Sequence, residues 1–156
     1  PNSVIYMQNF SEAKYIKYII GIHKELEEQI NSNRIIFIPQ LNIQDRYNFM
    51  KVCDVILDTL TNTTPLYCLL AIKAKKPYIT YPQIYYNTRI PYNIYKRLKQ
   101  TSFIAISPDS YVNLAVKYGN QSEKQKEEIQ IICNKIYNNF TTQNTSKTLL
   151  QALENI

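Results

Sequence analysis

The chain has 156 residues, with 18 Lys and Arg against 12 Asp and Glu, a net charge of +6 and a pI near 9.1. That length supports one domain with a sizeable core, and the charge favours anionic partners, with a solvated basic face as the plain alternative. Gly21 and Gly119 are the only glycines, so neither a dinucleotide fingerprint nor a Walker loop can be built, because both need backbone to approach phosphate without a Cβ in the way. Cys53, Cys68 and Cys133 are odd in number and include no C-x-x-C pair. They predict buried, reduced thiols in a cytoplasmic or nuclear protein, with no zinc site and no disulfide framework. No apolar run reaches the length of a membrane span, and Pro1-Asn-Ser-Val4 lacks the regions of a signal peptide, so no membrane partner is expected. A start without Met suggests a piece of a longer protein.

In chain order, Ser3 to Met7 reads as a strand, and Ser11 can cap a helix running to about Ile30. Ile16, Ile19, His23, Leu26 and Ile30 give that helix one apolar face. Arg34 to Ile38 is the clearest strand, ended by Pro39. Asn42 followed by Asp45 resembles a capping arrangement for a short helix through Val52. Val55 to Leu57 is an apolar run of the kind a strand buried on both faces needs. Thr64 and Pro65 then suit the start of a helix containing Leu66 to Ile72, and Tyr78 to Thr80 reads as the next strand.

This central unit is a strand–helix–strand crossover. In an open parallel sheet, ligands bind at the loop leaving a strand's carboxyl end, which makes Asp58 to Thr64 the first place to look for a site. Asn87 to Gln100 reads as a helix with Pro91 in its first turn, and Phe103 to Ile106 as a last short strand. Ser107-Pro108-Asp109 starts a helix that Gly119 stops. Ser122 and Gln125 form a capping box for a long helix ending near Phe140, and Thr145 to Ile156 is a weaker helix. Alternating strands and helices predict an α/β fold with a parallel sheet.

No catalytic constellation is complete. His23, the one histidine, has no Ser/His/Asp or Cys/His set around it and reads as a packed or edge residue. Asp54 and Asp58 flank a strand on one side, where a buried or loop-capping role is favoured over an acid/base pair. Lys73, Lys75, Lys76, Arg89, Lys96 and Arg97 gather in the second half of the sheet; they could draw in a diphosphate, although solvated helix ends are the plainer reading. The 14 tyrosines fall at core spacing and no nucleic-acid motif is present, so nucleic acid is set aside as a partner.

One series of residues goes further. Pro1-Asn-Ser-Val4, Asn33-Arg-Ile-Ile-Phe37, Pro39, Asp54-Val55, Leu57-Asp-Thr59, Pro77, Thr80, Pro82, Arg89-Ile90 and Ala115-Val-Lys-Tyr-Gly119 run in order from Pro1 towards Phe140. Together they resemble the C-terminal half of the catalytic region of protein O-GlcNAc transferases and the related plant O-fucosyltransferases. The resemblance implies the second, donor-binding half of a B-type glycosyltransferase fold, in which two Rossmann-like halves clasp a nucleotide sugar. Residues 1–156 would be one Rossmann-like domain, with residues 122–156 as C-terminal helices packed on it.

The implied reaction moves N-acetylglucosamine from UDP-GlcNAc to Ser or Thr of acceptor proteins. The donor is a substrate, no metal is expected, and the partner is the N-terminal half of the same enzyme, which holds the catalytic residues. At the family's Gly-His-Thr-Thr-Gly turn this chain has Thr64-Pro65-Leu66-Tyr67-Cys68, with Leu70 for the ribose-binding Asp. The diphosphate-binding Lys falls on Ile43 and the uracil-stacking His on Arg46. The donor-binding set this implies is Leu41, Arg46, Thr59, Thr63, Thr64 and Arg89: Arg46 could stack on a base, the backbone at Leu41 could meet a uracil edge, and Thr63 and Thr64 could offer hydroxyls. A catalytically inactive module of the same fold stays open as the second reading.

Overall fold

The structure is a computed structural model that describes residues 3–8, 18, 21–61 and 63–141. Its contacts divide the chain into two compact units, Pro1–Asp45 and Arg46–Ile156.

In the first unit β1 (Ile5–Gln8) and β2 (Ile35–Ile38) pair in parallel, Ile5 opposite Ile35 and Gln8 opposite Ile38. Helix α1 (Glu25–Asn31) lies between them in sequence and ends at Ser32 and Asn33. Asn33 takes a left-handed φ of 57°, a conformation that asparagine tolerates better than most residues. Most of the helix expected from Ser11 falls outside the described residues. Its described end differs from the expectation: Gly21 and Ile22 are helical, His23 and Lys24 break the run, and α1 begins afresh at Glu25. Glu25, Glu27 and Glu28 fill the first turn of α1, where acidic side chains complement the positive helix end. His23 therefore does not sit on a buried face; its side chain is 58% exposed, with Nδ1 3.3 Å from Glu25 Oε1. At the end of this unit Asn42 Oδ1 accepts the Asp45 N–H at 2.9 Å, the expected cap for α2 (Ile43–Val52).

The second unit holds the crossover. β3 (Ile56–Leu57), α3 (Pro65–Lys73) and β4 (Tyr78–Ile79) follow in order, and the strands pair in parallel, Ile56 with Tyr78 and Leu57 with Ile79. Thr80 extends this ladder by one parallel bridge to Ile104, so the expected strand Phe103–Ile106 is reduced to a single bridge before the chain turns into the next helix. Leu57 is 40% exposed, which corrects the expectation that β3 is buried on both faces. Among the described residues of this unit, β3 is paired on one side only. A 3₁₀ turn, Tyr86–Arg89, leads into α4 (Ile90–Arg97), where Pro91 stands in the first turn.

Helix α5 (Pro108–Gly119) opens on a capping box between Ser107 and Ser110. Helix α6 (Glu123–Thr141) follows, with the Ser122 N–H donating to Gln125 Oε1 at 2.9 Å. The expected tail helix, Thr145–Ile156, lies outside the described residues. The result is a mixed α/β fold of small parallel sheets flanked by helices. Its core in this unit is built on Cys68, Ile72, Ile79, Tyr95, Phe103 and Cys133, all essentially buried. Phe103 stands edge-on to Tyr95 and Tyr118, with centroids 5.6 and 5.3 Å away. Buried polar tips find partners: Tyr95 OH donates to the Tyr78 carbonyl at 3.0 Å.

Asp58, at the carboxyl end of β3, fixes the exit loop. It is buried, and its Oδ1 accepts from the Thr63 hydroxyl and the Tyr78 phenol, each at 2.7 Å. Its Oδ2 accepts from the Thr80 hydroxyl at 2.7 Å, and its backbone carbonyl accepts from Tyr111 OH on α5 at 2.5 Å. One residue thus ties the β3 loop, β4 and α5 together, and it satisfies three buried hydroxyl donors with one carboxylate.

Two predictions follow from this packing. Asp58→Ala strands three buried donors, each worth about 1–3 kcal/mol when unmade, and should lower stability by roughly 3–5 kcal/mol in urea unfolding; Asp58→Asn, which keeps one acceptor, should cost less. A loss under ~1 kcal/mol for the alanine variant would show that the network holds little.

The second concerns alkali. Burial pushes the Cys133 thiol from 9.0 up to about 12 and raises the Cys68 thiol as well. Burial first, and then the neighbouring Asp58 charge, raises the phenols of Tyr78 and Tyr111 above 10.0. Each folded value lies above its unfolded one, so the stabilisation is fully present below pH 9.0 and is lost as pH climbs towards 12 and beyond. The urea midpoint should fall steadily from about pH 9 upward, and a midpoint unchanged up to about pH 11 would contradict the assignment.

Candidate functional site

Because β3, β4 and the Thr80–Ile104 bridge are all parallel, the loops that leave them open on one edge of the second unit. The loop from Asp58 leads directly into α3. Thr64 stands at the N-cap of α3 with extended backbone, φ −106° and ψ 130°, which is the geometry expected of a cap. Its hydroxyl nevertheless makes no capping hydrogen bond, Pro65 supplies no N–H, and the first turn carries no acidic side chain. The positive end of α3 is therefore left for solvent or an anion, with Pro65 and Leu66 exposed beside it.

The other expected donor-site residues fall in different places. Thr63 is buried, and its single hydroxyl proton goes to Asp58, with the Thr59 carbonyl 3.3 Å away. A phosphate accepts hydrogen bonds and offers none, so the Thr63 hydroxyl has no proton left for one in this arrangement. Thr59 is exposed on the same loop. Arg46, near the start of α2, is buried with its guanidinium carbon 4.1 Å over the Tyr67 ring in the first turn of α3. The stacking face proposed for a base is thus already taken up by a side chain of the protein.

Arg89 is exposed at the end of the 3₁₀ turn, its Nε donating to the Gln83 carbonyl at 2.8 Å, which braces the loop leaving β4. Leu41 belongs to the first unit, half-buried just before Asn42. Of the six, Thr59, Thr63 and Thr64 share one loop, Arg46 meets α3 through Tyr67, and Arg89 stands on the loop after β4. Leu70, where the family has an acidic residue, packs against the core, and Ile43 is exposed.

Sequence reading passed over Tyr78, Thr80 and Tyr111 as the groups that hold Asp58. One signal was present: Tyr78 and Thr80 are two apart on a strand and therefore face the same side. Which carboxylate they would meet is a contact across 20 and 22 residues, which no local pattern encodes. The same edge also exposes large apolar side chains, Ile84 at 81%, Tyr86 at 82% and Ile106 at 88%, each on a loop that follows one of the parallel strands.

The basic residues take the plainer of their two readings, as helix ends, and do not gather at the donor edge. Lys73, Lys75 and Lys76 precede β4, and Lys96 and Arg97 end the helix that precedes Phe103, so these five belong to the amino edge of the strands; Arg89 alone lies on the carboxyl side. A shallow depression opens on the amino edge, lined by Asp54, Lys75, Lys76, Gln121, Lys126 and Gln130. Among the described residues no cluster of three or more His, Cys, Asp or Glu side chains is placed to hold a metal ion, and no helix is long and apolar enough to cross a membrane.

No protein-family model matches the chain, and no curated protein matches it. Among solved structures, a mutant O-GlcNAc transferase from Thermobaculum terrenum is similar, with a TM-score of 0.68 and 12% sequence identity over 84% of this chain. The chain spans 26% of that protein's length. A likeness at this identity is one of fold: the chain has a glycosyltransferase-like α/β fold.

Proposed function

We propose that the chain is the donor-binding half of a protein O-glycosyltransferase that takes N-acetylglucosamine from UDP-GlcNAc to Ser or Thr of acceptor proteins, with weakened donor affinity. The observation that carries this reading is the parallel β3–α3–β4 crossover, which leaves the uncapped amino end of α3 on the carboxyl edge of a fold similar to that of an O-GlcNAc transferase. In this reading the α3 helix end and the Thr64 hydroxyl hold the donor diphosphate, while Thr59 and Arg89 shape the flanking loops. The chemical step belongs to the N-terminal half of the same enzyme and to the acceptor, since no acid/base pair is assembled on this edge.

The weakening has a physical cause. With Thr63 committed to Asp58 and Arg46 already stacked on Tyr67, a nucleotide meets fewer donors and no free stacking face. Those two commitments, together with the apolar side chains around the edge, favour the second reading: a catalytically inactive module that keeps the fold for binding or structure.

Titration of UDP into the protein, followed by calorimetry or NMR, separates the two. Saturable binding with a Kd on the order of 1 mM, about −4 kcal/mol, is expected for the donor-binding half. Leu66→Glu puts a carboxylate into the first turn of α3, where it suits the helix end but repels phosphate, so affinity should drop at least ~5-fold with no loss of thermal stability. Absence of saturable binding up to about 10 mM UDP, an energy of under about 3 kcal/mol, would select the inactive module.

A further inference from the structure

We propose that the amino edge of the second unit, opposite the donor edge, is a surface for the phosphate backbone of duplex nucleic acid. Between Asp58 and Asp109 the chain contains no Asp or Glu and seven cations, which accounts for the whole +6 net charge. The crossover topology sorts those cations. Lys73, Lys75 and Lys76 lie at the end of α3, before β4, and Lys96, Arg97 and Lys99 at the end of α4, before the parallel bridge at Ile104, so six of the seven fall on one edge.

Cations at helix C-termini complement the helix dipole, and that alone would explain a lysine in the last turn. It does not explain the residues just beyond. Lys75 and Lys99 adopt left-handed φ values of 61° and 54°, in the position after a helix where glycine is the usual occupant because a Cβ is strained there. Both turns therefore carry charge where the backbone favours a residue with no side chain.

The depression on this edge adds Gln121, Gln130 and Lys126, although Asp54 also lines it and Glu123 Oε1 pairs with Lys126 at 2.9 Å. Three cations, Lys75, Lys76 and Lys126, still outnumber the two carboxylates, Asp54 and Glu123. The composition of the edge selects among polyanions. Five of the six cations are lysines, point charges on flexible stems that neutralise phosphates without the bidentate geometry of arginine and so without fixing one register. Val52 at the end of α2 is exposed, but residues 73–77 and 96–102 expose no large apolar or aromatic side chain, so these two basic turns offer nothing to stack on unpaired bases or to insert into a lipid interface. A duplex presents dense, regular phosphate and asks for neither. Binding of this kind is independent of sequence and needs no recognition motif, which is why reading the chain for motifs does not find it. It is also independent of UDP and of the donor edge.

Fluorescence anisotropy of the protein with a labelled duplex of about 20 base pairs tests the assignment. If about five cations reach phosphates, affinity should fall roughly 10²–10³-fold between about 50 and 200 mM salt. A Lys75→Gly/Lys99→Gly variant relieves two strained positions while removing two charges, so it should keep or raise the thermal midpoint, weaken duplex binding and reduce the log–log salt slope by about 1.8. No duplex binding at about 50 mM salt would overturn the proposal, as would a salt slope that the variant leaves unchanged. Polyglutamate or phosphatidylserine vesicles bound as tightly as the duplex at equal salt would also overturn it, in favour of an acidic polypeptide or a membrane surface.

Discussion

A single buried carboxylate organises the second unit. Asp58 leaves β3 where a turn must form, and the turn holds its shape because Thr63, Tyr78 and Thr80 all direct their protons at that one side chain. Low dielectric makes each of these bonds costly to leave unmade, so the loop, β4 and α5 are constrained together rather than one by one. The price is functional. A hydroxyl that holds the loop in place cannot also hand its proton to a ligand, and Thr63 is spent in this way.

The same constraint shapes what the carboxyl edge offers. The end of α3 is open and positive, which suits a diphosphate, yet Arg46 lies against Tyr67 and the neighbouring loops expose Ile84, Tyr86 and Ile106. The fold is similar to that of an O-GlcNAc transferase, while on this edge Thr63 and Arg46 are turned inward and Ile84, Tyr86 and Ile106 are apolar. Parallel topology also gives the sheet two chemically distinct edges. Loops after β3 and β4 carry Thr59, Thr63, Thr64 and Arg89, and the helix ends before the strands carry six of the seven cations between Asp58 and Asp109.

Much of this was legible along the chain. The Asn42–Asp45 cap, Pro65 in the first turn of α3, the Ser107 and Ser122 starts and the order of strands and helices all depend on neighbours three or four residues apart, where sequence pattern and hydrogen bond are the same information. Where the reading departed from the structure, either a competing local signal or a missing long-range partner had decided the outcome. His23 was expected on an apolar face, but acidic residues in the following turn start a new helix and leave it exposed. Phe103–Ile106 has the composition of a strand but, among the described residues, bridges only to Thr80.

The amino-acid order by itself therefore determined the α/β class, the crossover at residues 56–79 and the loop in which a site should be sought. Local periodicity and capping chemistry act over a few residues and are written directly into the chain. Tertiary structure alone decided which hydroxyls meet Asp58, that Arg46 stacks on Tyr67, and that lysines scattered over 27 positions, from Lys73 to Lys99, share one edge. Thr63 lies only five residues from Asp58, but the Tyr78 and Thr80 contacts span 20 and 22 residues and the shared edge follows from the direction in which strands pair, and no short stretch of sequence carries that geometry.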